Sequence, residues 1–223
     1  MNLPILIQLG CGPFVEKTDW IDCDGSWNAW INRLPLGLPK FFRVVYGFTG
    51  RGAKVFPAHV KYVNLHKRMP FADLSADAVY ASHVWEHLYV KDGEFALLEC
   101  YRVCKPGGVV RIVVPPLHDY CADYIANPSA ESALALHEKL LYRHNERENN
   151  LLLRVYTAMT DFHTHKFMYD VKALSALFVK TGFIEVREMS FGESRIPKIN
   201  QVENPGRVGR GIGFVIEGVK PLF

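Results

Sequence analysis

Apolar positions along the chain gather into short runs separated by turn-forming or helical stretches. Residues 5–9 are apolar apart from Gln8, the pattern of a strand covered on both faces in a parallel sheet, and the run stops on Gly10-Cys11-Gly12. Residues 20–24 read as a second short strand ending in an acid. Residues 60–65 read as a third, ending at Asn64-Leu65, and residues 77–82 as a fourth that leads into His83. Residues 92–104 carry Phe95, Leu98, Tyr101 and Val103 among the apolar positions of an amphipathic helix, with Asp92 placed to cap it. Lys105-Pro106-Gly107-Gly108 then predicts a turn, and residues 109–114 a β-branched fifth strand stopped by Pro115-Pro116. Residues 119–156 are helical in composition. Asp170 caps a further helix that Gly182 ends, and residues 183–189 and 211–219 complete seven strands.

Strands alternating with helical or loop segments predict an α/β fold: a doubly wound, mostly parallel seven-stranded sheet. We expect one domain over residues 1–223, with residues 116–168 as a helical insertion that covers the substrate. Ligands of such sheets bind beyond the carboxyl ends of the strands. Four consecutive strand ends supply chemistry there. Gly10 to Gly12 form a loop that a ligand can approach closely for want of a Cβ, unless they are an ordinary tight turn. Asp24 can accept both hydroxyls of a ribose, Asn64 and Leu65 can border a base, and Ser82 and His83 can floor the site. Asp24 follows Gly12 by twelve positions where a dinucleotide fingerprint expects about twenty, so the first crossover is short. A surface aspartate at 24 and an asparagine that caps its own turn at 64 stay open.

Composition narrows the class. Of 223 residues, 49% are hydrophobic and 22% charged, which excludes a disordered chain, and a net charge of +3 gives no electrostatic case for nucleic acid. No apolar run reaches membrane-spanning length, and the N-terminus lacks the pattern of a secretory signal; the expected location is cytoplasmic. The five cysteines suit reduced, buried thiols. A metal set from Cys100, Cys104, His118 and Cys121 is the weaker reading because no Cys-x-x-Cys pair exists. Trp27, Trp30, Phe41, Phe42 and Tyr46 form either a lid over an apolar substrate or a cover for the sheet.

Leu9-Gly10-Cys11-Gly12, Trp20-Ile21-Asp22-Cys23-Asp24-Gly25, Met69-Pro70-Phe71, the run from Asp77 through His83-Val84-Trp85-Glu86-His87-Leu88, and Glu99 through Lys105-Pro106-Gly107-Gly108 together resemble the class I S-adenosylmethionine-dependent methyltransferases. The likeness is to a small group, of the methyltransferase type 11 kind, in which a short first crossover is normal. The resemblance implies S-adenosylmethionine as cofactor, with Gly10, Cys11 and Gly12 facing its methionine part and Asp24 holding the ribose. Asn64 and Leu65 would border adenine, with Ser82 and His83 beneath the sulfonium. Two positions depart from the pattern: Asn64 stands where an aspartate is usual, and Pro116 where an acid is common.

Methylation of a hydroxyl profits from a general base, and histidine suits neutral pH. His83, His163 and His165 are the candidate catalytic residues. His83 can instead support the cofactor loop, and the pair two apart can instead ligate a metal. Similar proteins accompany polysaccharide or glycolipid synthesis, so the expected acceptor is a small-molecule, sugar or lipid-linked hydroxyl. The rival readings are a non-catalytic S-adenosylmethionine-binding partner protein and an NAD(P)-dependent oxidoreductase. The second lacks the third glycine and the helix that receives a pyrophosphate.

Overall fold

The computed structural model describes residues 3–13, 15–26, 29, 30, 33, 56–140 and 164–223. Its seven strands are β1 (Leu6–Leu9), β2 (Ile21–Asp24), β3 (Lys61–Tyr62), β4 (Ala76–Ser82), β5 (Cys104–Val114), β6 (Ile184–Met189) and β7 (Phe214–Val219). They lie in one sheet in the order β3-β2-β1-β4-β5-β7-β6, with β7 antiparallel to both neighbours and the other pairs parallel. The helices of eight or more residues are α1 (Val90–Val103), α2 (Leu117–Ala126), α3 (Ala130–Leu140) and α4 (Val171–Thr181) among the described residues, and none is long and apolar enough to cross a membrane. The predicted α/β, mostly parallel seven-stranded fold is the one observed.

Strands β1 and β4 are buried along almost their whole length, which is why their sequences run apolar instead of alternating. On α1 the buried stripe is Gly93, Ala96, Leu97, Cys100 and Val103, so Phe95 and Leu98 of the expected apolar set face outward. Tyr89, not Asp92, stands at the N-cap; Asp92 sits in the first turn and pairs with His66 at 3.1 Å. Cys100 and Cys104 are buried, and desolvation pushes both thiols up, Cys104 to about 12, which leaves packing as their role.

Two further expectations change. The third strand shrinks to two residues because the chain leaves the sheet at Val63, and the Asn64 side chain closes a turn by accepting from the His66 amide at 2.9 Å. The Lys105 to Gly108 turn is a bulge inside β5: Ala76 pairs with Cys104, but Ala78 pairs with Val109. Asp170 and Gly182 act as expected, Asp170 accepting from the Ala173 amide at 2.7 Å and Gly182 ending α4 in the left-handed region. Helices α2 and α3 follow β5 within the stretch expected as an insertion, and residues 141–163 of that stretch lie outside the described residues.

Arg111, in the middle of β5, is fully buried, and all its donors are used. Nε and Nη2 reach the two oxygens of Glu203 at 2.8 and 3.0 Å, Nη1 reaches Glu217 at 3.0 Å and the Glu193 carbonyl at 2.9 Å, and Nη2 also reaches the Ser190 carbonyl at 3.0 Å. This network fastens the β6–β7 connection to the sheet. The Glu193-Ser194-Arg195 stretch belongs to it, since Ser194 donates to Glu217 at 2.6 Å. At the other side of the sheet, Glu99 accepts from the Met69 amide at 2.7 Å and pairs with Arg102.

Removing one partner of the buried network leaves an uncompensated charge, so Arg111→Ala is expected to cost about 3–5 kcal/mol in denaturant unfolding. Arg102 and the Met69 amide hold the Glu99 carboxyl below the usual carboxylate range against the opposing effect of burial. Its contribution is therefore complete above the unfolded glutamate value of about 4.3 and is lost as pH falls through the lower folded value. Glu99→Gln is expected to cost about 1–3 kcal/mol at pH 7, and the gap to the unsubstituted chain should close below about pH 4. Thermal unfolding across pH 3–7 checks this.

Candidate active site

The glycine loop after β1 is held by its neighbours. The Cys11 amide donates to the Cys23 carbonyl at 3.1 Å, and the Gly12 amide donates to Asp24 Oδ2 at 3.1 Å. The other oxygen, Oδ1, accepts from the Ser26 amide at 2.8 Å. Each carboxylate oxygen offers two lone pairs, so one on each remains for a diol. Gly10 and Gly12 take φ of +69° and +72°. A Cβ at Gly10 would overlap the Val84 side chain, whereas one at Gly12 would meet nothing within 4 Å. Gly10 is therefore required by packing and conformation together, Gly12 by conformation alone.

Above the ends of β1, β2 and β4 lies a cleft of about 480 Å³, within the range of small-molecule sites. Of the predicted cofactor residues, Gly10, Asp24, Asn64, Leu65 and His83 line it. Cys11 turns its sulfur to the Gly12 carbonyl, and burial beside Asp24 and Asp22 pushes its thiol well up, so it is no nucleophile. Ser82 is buried at the end of β4. Trp30 lines the cleft, while Trp27, Phe41, Phe42 and Tyr46 lie outside the described residues. Asn64 does cap its own turn, leaving one oxygen lone pair and its amide nitrogen for a ligand.

His83 leaves β4 with φ of +55°, unusual for a residue with a side chain and held here by the bond from its amide to the Val113 carbonyl at 2.9 Å. Its Nε2 bonds the Arg207 carbonyl at 3.0 Å and its Nδ1 lies 3.5 Å from Glu86 Oε1. Burial disfavours charge on this ring, but the neighbouring Glu86 carboxylate and the bond to the Arg207 carbonyl outweigh it and raise its pKa. A 3-10 turn over Trp85–His87 aims Glu86 inward, fully buried, and His87 lines the cleft. The backbone amides of Lys166 and Phe167 donate to the Glu86 carbonyl, which brings His165 to the same place. The rings of His87 and His165 are 5.1 Å apart, and burial lowers the pKa of His165. His163 lies outside the described residues. Glu86, His87 and the cleft-lining His66 were not among the residues the sequence nominated. Their signal was the His-x-x-Glu-His spacing of residues 83–87, which places three polar groups within one turn.

Residues 50–112, from ahead of β3 to the middle of β5, match the sequence model of the family described as Methyltransferase domain. The match is confined to that segment, and the sheet order with its reversed seventh strand is the fold that the sequence resemblance implied. Among solved structures, a S-adenosylmethionine-dependent methyltransferase from Thermotoga maritima aligns with 99% of this chain and 83% of its own at 18% identity and a TM-score of 0.48. The DszA carbon methyltransferase aligns over 99% of this chain and 48% of its own at 13% identity and a TM-score of 0.48. An O-methyltransferase family protein from Burkholderia thailandensis aligns over 98% and 51% at 12% identity and a TM-score of 0.42. The chain thus spans about half the length of the last two.

The two glycines should respond differently to the same substitution. Gly10→Ala is expected to lower stability by about 1–3 kcal/mol, combining the left-handed strain with the overlap on Val84. Gly12→Ala should cost about 1 kcal/mol, the conformational part alone. Paired melting curves check the order.

Proposed function

We propose that the cleft binds S-adenosylmethionine and that the chain transfers its methyl group to a hydroxyl of a small-molecule, sugar or lipid-linked acceptor. The observation that carries the reading is the Asp24 carboxylate, which fastens the glycine loop while lining the cleft with acceptor capacity left on each oxygen. Asp24 would hold the ribose hydroxyls, Asn64 and Leu65 would border adenine, and Gly10 to Gly12 would leave room for the methionine part. Ser82 and His83 support the floor. When bound, the cofactor supplies an electrophilic methyl and a leaving group that departs neutral.

The protein's part is then mostly alignment, which in favourable cases is worth about 7–11 kcal/mol. A base adds about 10²–10⁴-fold when the acceptor is a hydroxyl. In this reading the proton goes to the histidine–glutamate cluster at the base of the cleft. Both ring nitrogens of His83 face protein groups, whereas Nδ1 of His165 is buried without a partner among the described residues. Helices α2 and α3, within a single domain, would cover the acceptor. A second hollow of about 680 Å³, lined by Pro116 after β5 and Phe191 after β6, would admit it.

Calorimetry with S-adenosylmethionine and with NAD separates this reading from the oxidoreductase one: heat with the first and none with the second is expected, and the reverse would overturn it. Asp24→Ala should weaken S-adenosylmethionine at least about 10-fold, since charge-assisted bonds to a diol contribute about 1.5–3 kcal/mol each. Labelled methyl transfer to a lipid-linked sugar acceptor, lost in the same variant, would separate an enzyme from a non-catalytic binding partner.

A further inference from the structure

The cluster below the cleft poses a problem of charge. Glu86 is buried on both oxygens, and neither accepts a hydrogen bond from the described residues. A buried carboxylate without donors is costly enough that such groups are paired or bound to a metal. The nearest groups are imidazole nitrogens, and their tautomers are set by carbonyls elsewhere. His87 Nδ1 lies 3.2 Å from the Thr164 carbonyl, and a carbonyl only accepts, so Nδ1 carries the proton. In the neutral ring Nε2 then points a lone pair at Glu86 Oε1, 4.0 Å away. His83 repeats the arrangement with the nitrogens exchanged: Nε2 donates to the Arg207 carbonyl, and in the neutral ring Nδ1 presents a lone pair to the same oxygen at 3.5 Å. His165 adds a nitrogen, Nδ1, that is buried without a partner among the described residues.

Lone pairs that face a carboxylate repel it unless something positive stands between. Protons could relieve one contact at a time, but one proton on His83 leaves His87 Nε2 and His165 Nδ1 unmatched. Charging all three rings would crowd three cations against one anion. A single divalent ion satisfies Glu86, His87 and His165 together, and His83, 3.5 Å from the same Glu86 oxygen, is placed to join them. We propose that Glu86, His87 and His165, with His83 as a further ligand, bind a divalent transition metal of the zinc class.

The geometry suits that class. One ligand atom from each of Glu86, His87 and His165 falls within 4.8 Å of the others. Zinc takes imidazole nitrogen at about 2.0–2.1 Å and carboxylate oxygen at about 2.0–2.2 Å, so ligand atoms end about 3.4 Å apart. The 3.5 Å contact of His83 already has that spacing, and the others close by about 1 Å through side-chain rotation. The Nδ1–H of His87 on a backbone carbonyl is the outer contact that commonly orients a metal-bound imidazole. The nitrogen-rich set favours zinc, cobalt or nickel over magnesium, which prefers oxygen. His83 and His87 line the cleft, so an ion here would meet an acceptor oxygen entering it. Only that consequence rests on the methyltransferase reading; the ion site stands on the cluster alone.

The test uses the full-length chain without an affinity tag, stripped with a chelator and titrated with Zn²⁺ by calorimetry. One ion per chain is expected, with Mg²⁺ giving no competition. Co²⁺ in its place should give the intense visible bands of four- or five-coordinate nitrogen and oxygen ligation. His87→Ala, His165→Ala and the near-isosteric Glu86→Gln should each weaken Zn²⁺ more than about 100-fold, because losing even an outer partner costs about 10–100-fold. His118→Ala, on an exposed histidine outside the cluster, should bind like the unsubstituted chain. Circular dichroism identifies any variant that fails to fold, and the Co²⁺ spectrum of the unsubstituted chain decides without variants. Absence of stoichiometric Zn²⁺, or equal binding by folded His87→Ala and His165→Ala, would overturn the site. S-adenosylmethionine binding in the same samples keeps the two readings apart. Heat from the cofactor without Zn²⁺ uptake sinks the metal site alone, and Zn²⁺ uptake without cofactor heat sinks only the methyltransferase reading.

Discussion

A single carboxylate at the end of β2 does the work that a helix does in longer folds of this kind. Strands β1 and β2 are joined by eleven residues with no helix among those described, so no crossover element pushes the glycine loop into place. The parallel register, Leu9 beside Cys23, brings the two strand ends level. Asp24 then reaches across to the Gly12 amide and forward to the Ser26 amide. Two backbone donors that a loop would otherwise leave to water are thereby satisfied, and the same oxygens stay open on the ligand side. Scaffold and the proposed recognition therefore meet in one side chain.

Two buried charges in this molecule are handled in opposite ways, and the contrast separates structure from function. Arg111 has every donor engaged by carboxylates and carbonyls, a fully satisfied network that fixes the β6–β7 connection. Glu86 is as deeply buried and has no donor from the described residues. Asp22 is also buried without a donor bond, but the His59 ring lies 3.2 Å from its carboxylate, whereas Glu86 has imidazole nitrogens no nearer than 3.5 and 4.0 Å. Glu86 lies beneath the cleft, where a ligand's requirements can outweigh stability.

What was legible in the sequence follows from how local each signal is. The ends of β1, β2, β4 and β5, the Asp170 cap and the Gly182 stop are set by neighbouring residues and appear where the sequence put them, whereas β3 ends early at Tyr62. Gly10 and Asp24 were legible because their chemistry is carried by backbone freedom and by a carboxylate at a strand end. Asn64 was ambiguous for the same reason: the side chain that could read a base also closes its own turn, and it does the latter here. Glu86 and His87 were hidden because their direction depends on a single 3-10 turn, and their partner His165 arrives from 78 positions along the chain. No pattern of period 2 or 3.6 marks such a meeting. The outward face of α1 at Phe95 and Leu98 was misread because apolar residues lie on both faces there, and only the packed stripe identifies the core.

The structural network and the catalytic candidates also share a segment. Arg111 anchors Glu203; Asn204 then caps the 3-10 turn over Pro205–Arg207 by accepting from the Gly206 amide at 2.7 Å. From that turn the Arg207 carbonyl meets His83, and the Arg207 guanidinium donates to the Ser82 carbonyl at 3.3 Å. The strained φ of His83 thus depends on contacts from both sides, the Val113 carbonyl of β5 and the turn that Arg111 secures. Such strain persists only where the surroundings over-determine it, and here they include a buried ion network whose partners Arg111 and Glu203 stand 92 positions apart in the chain. The cost of burying Arg111 is accordingly not separable from the precision of the cleft: the interaction that holds the far edge of the sheet is the one that orients the imidazole at its centre.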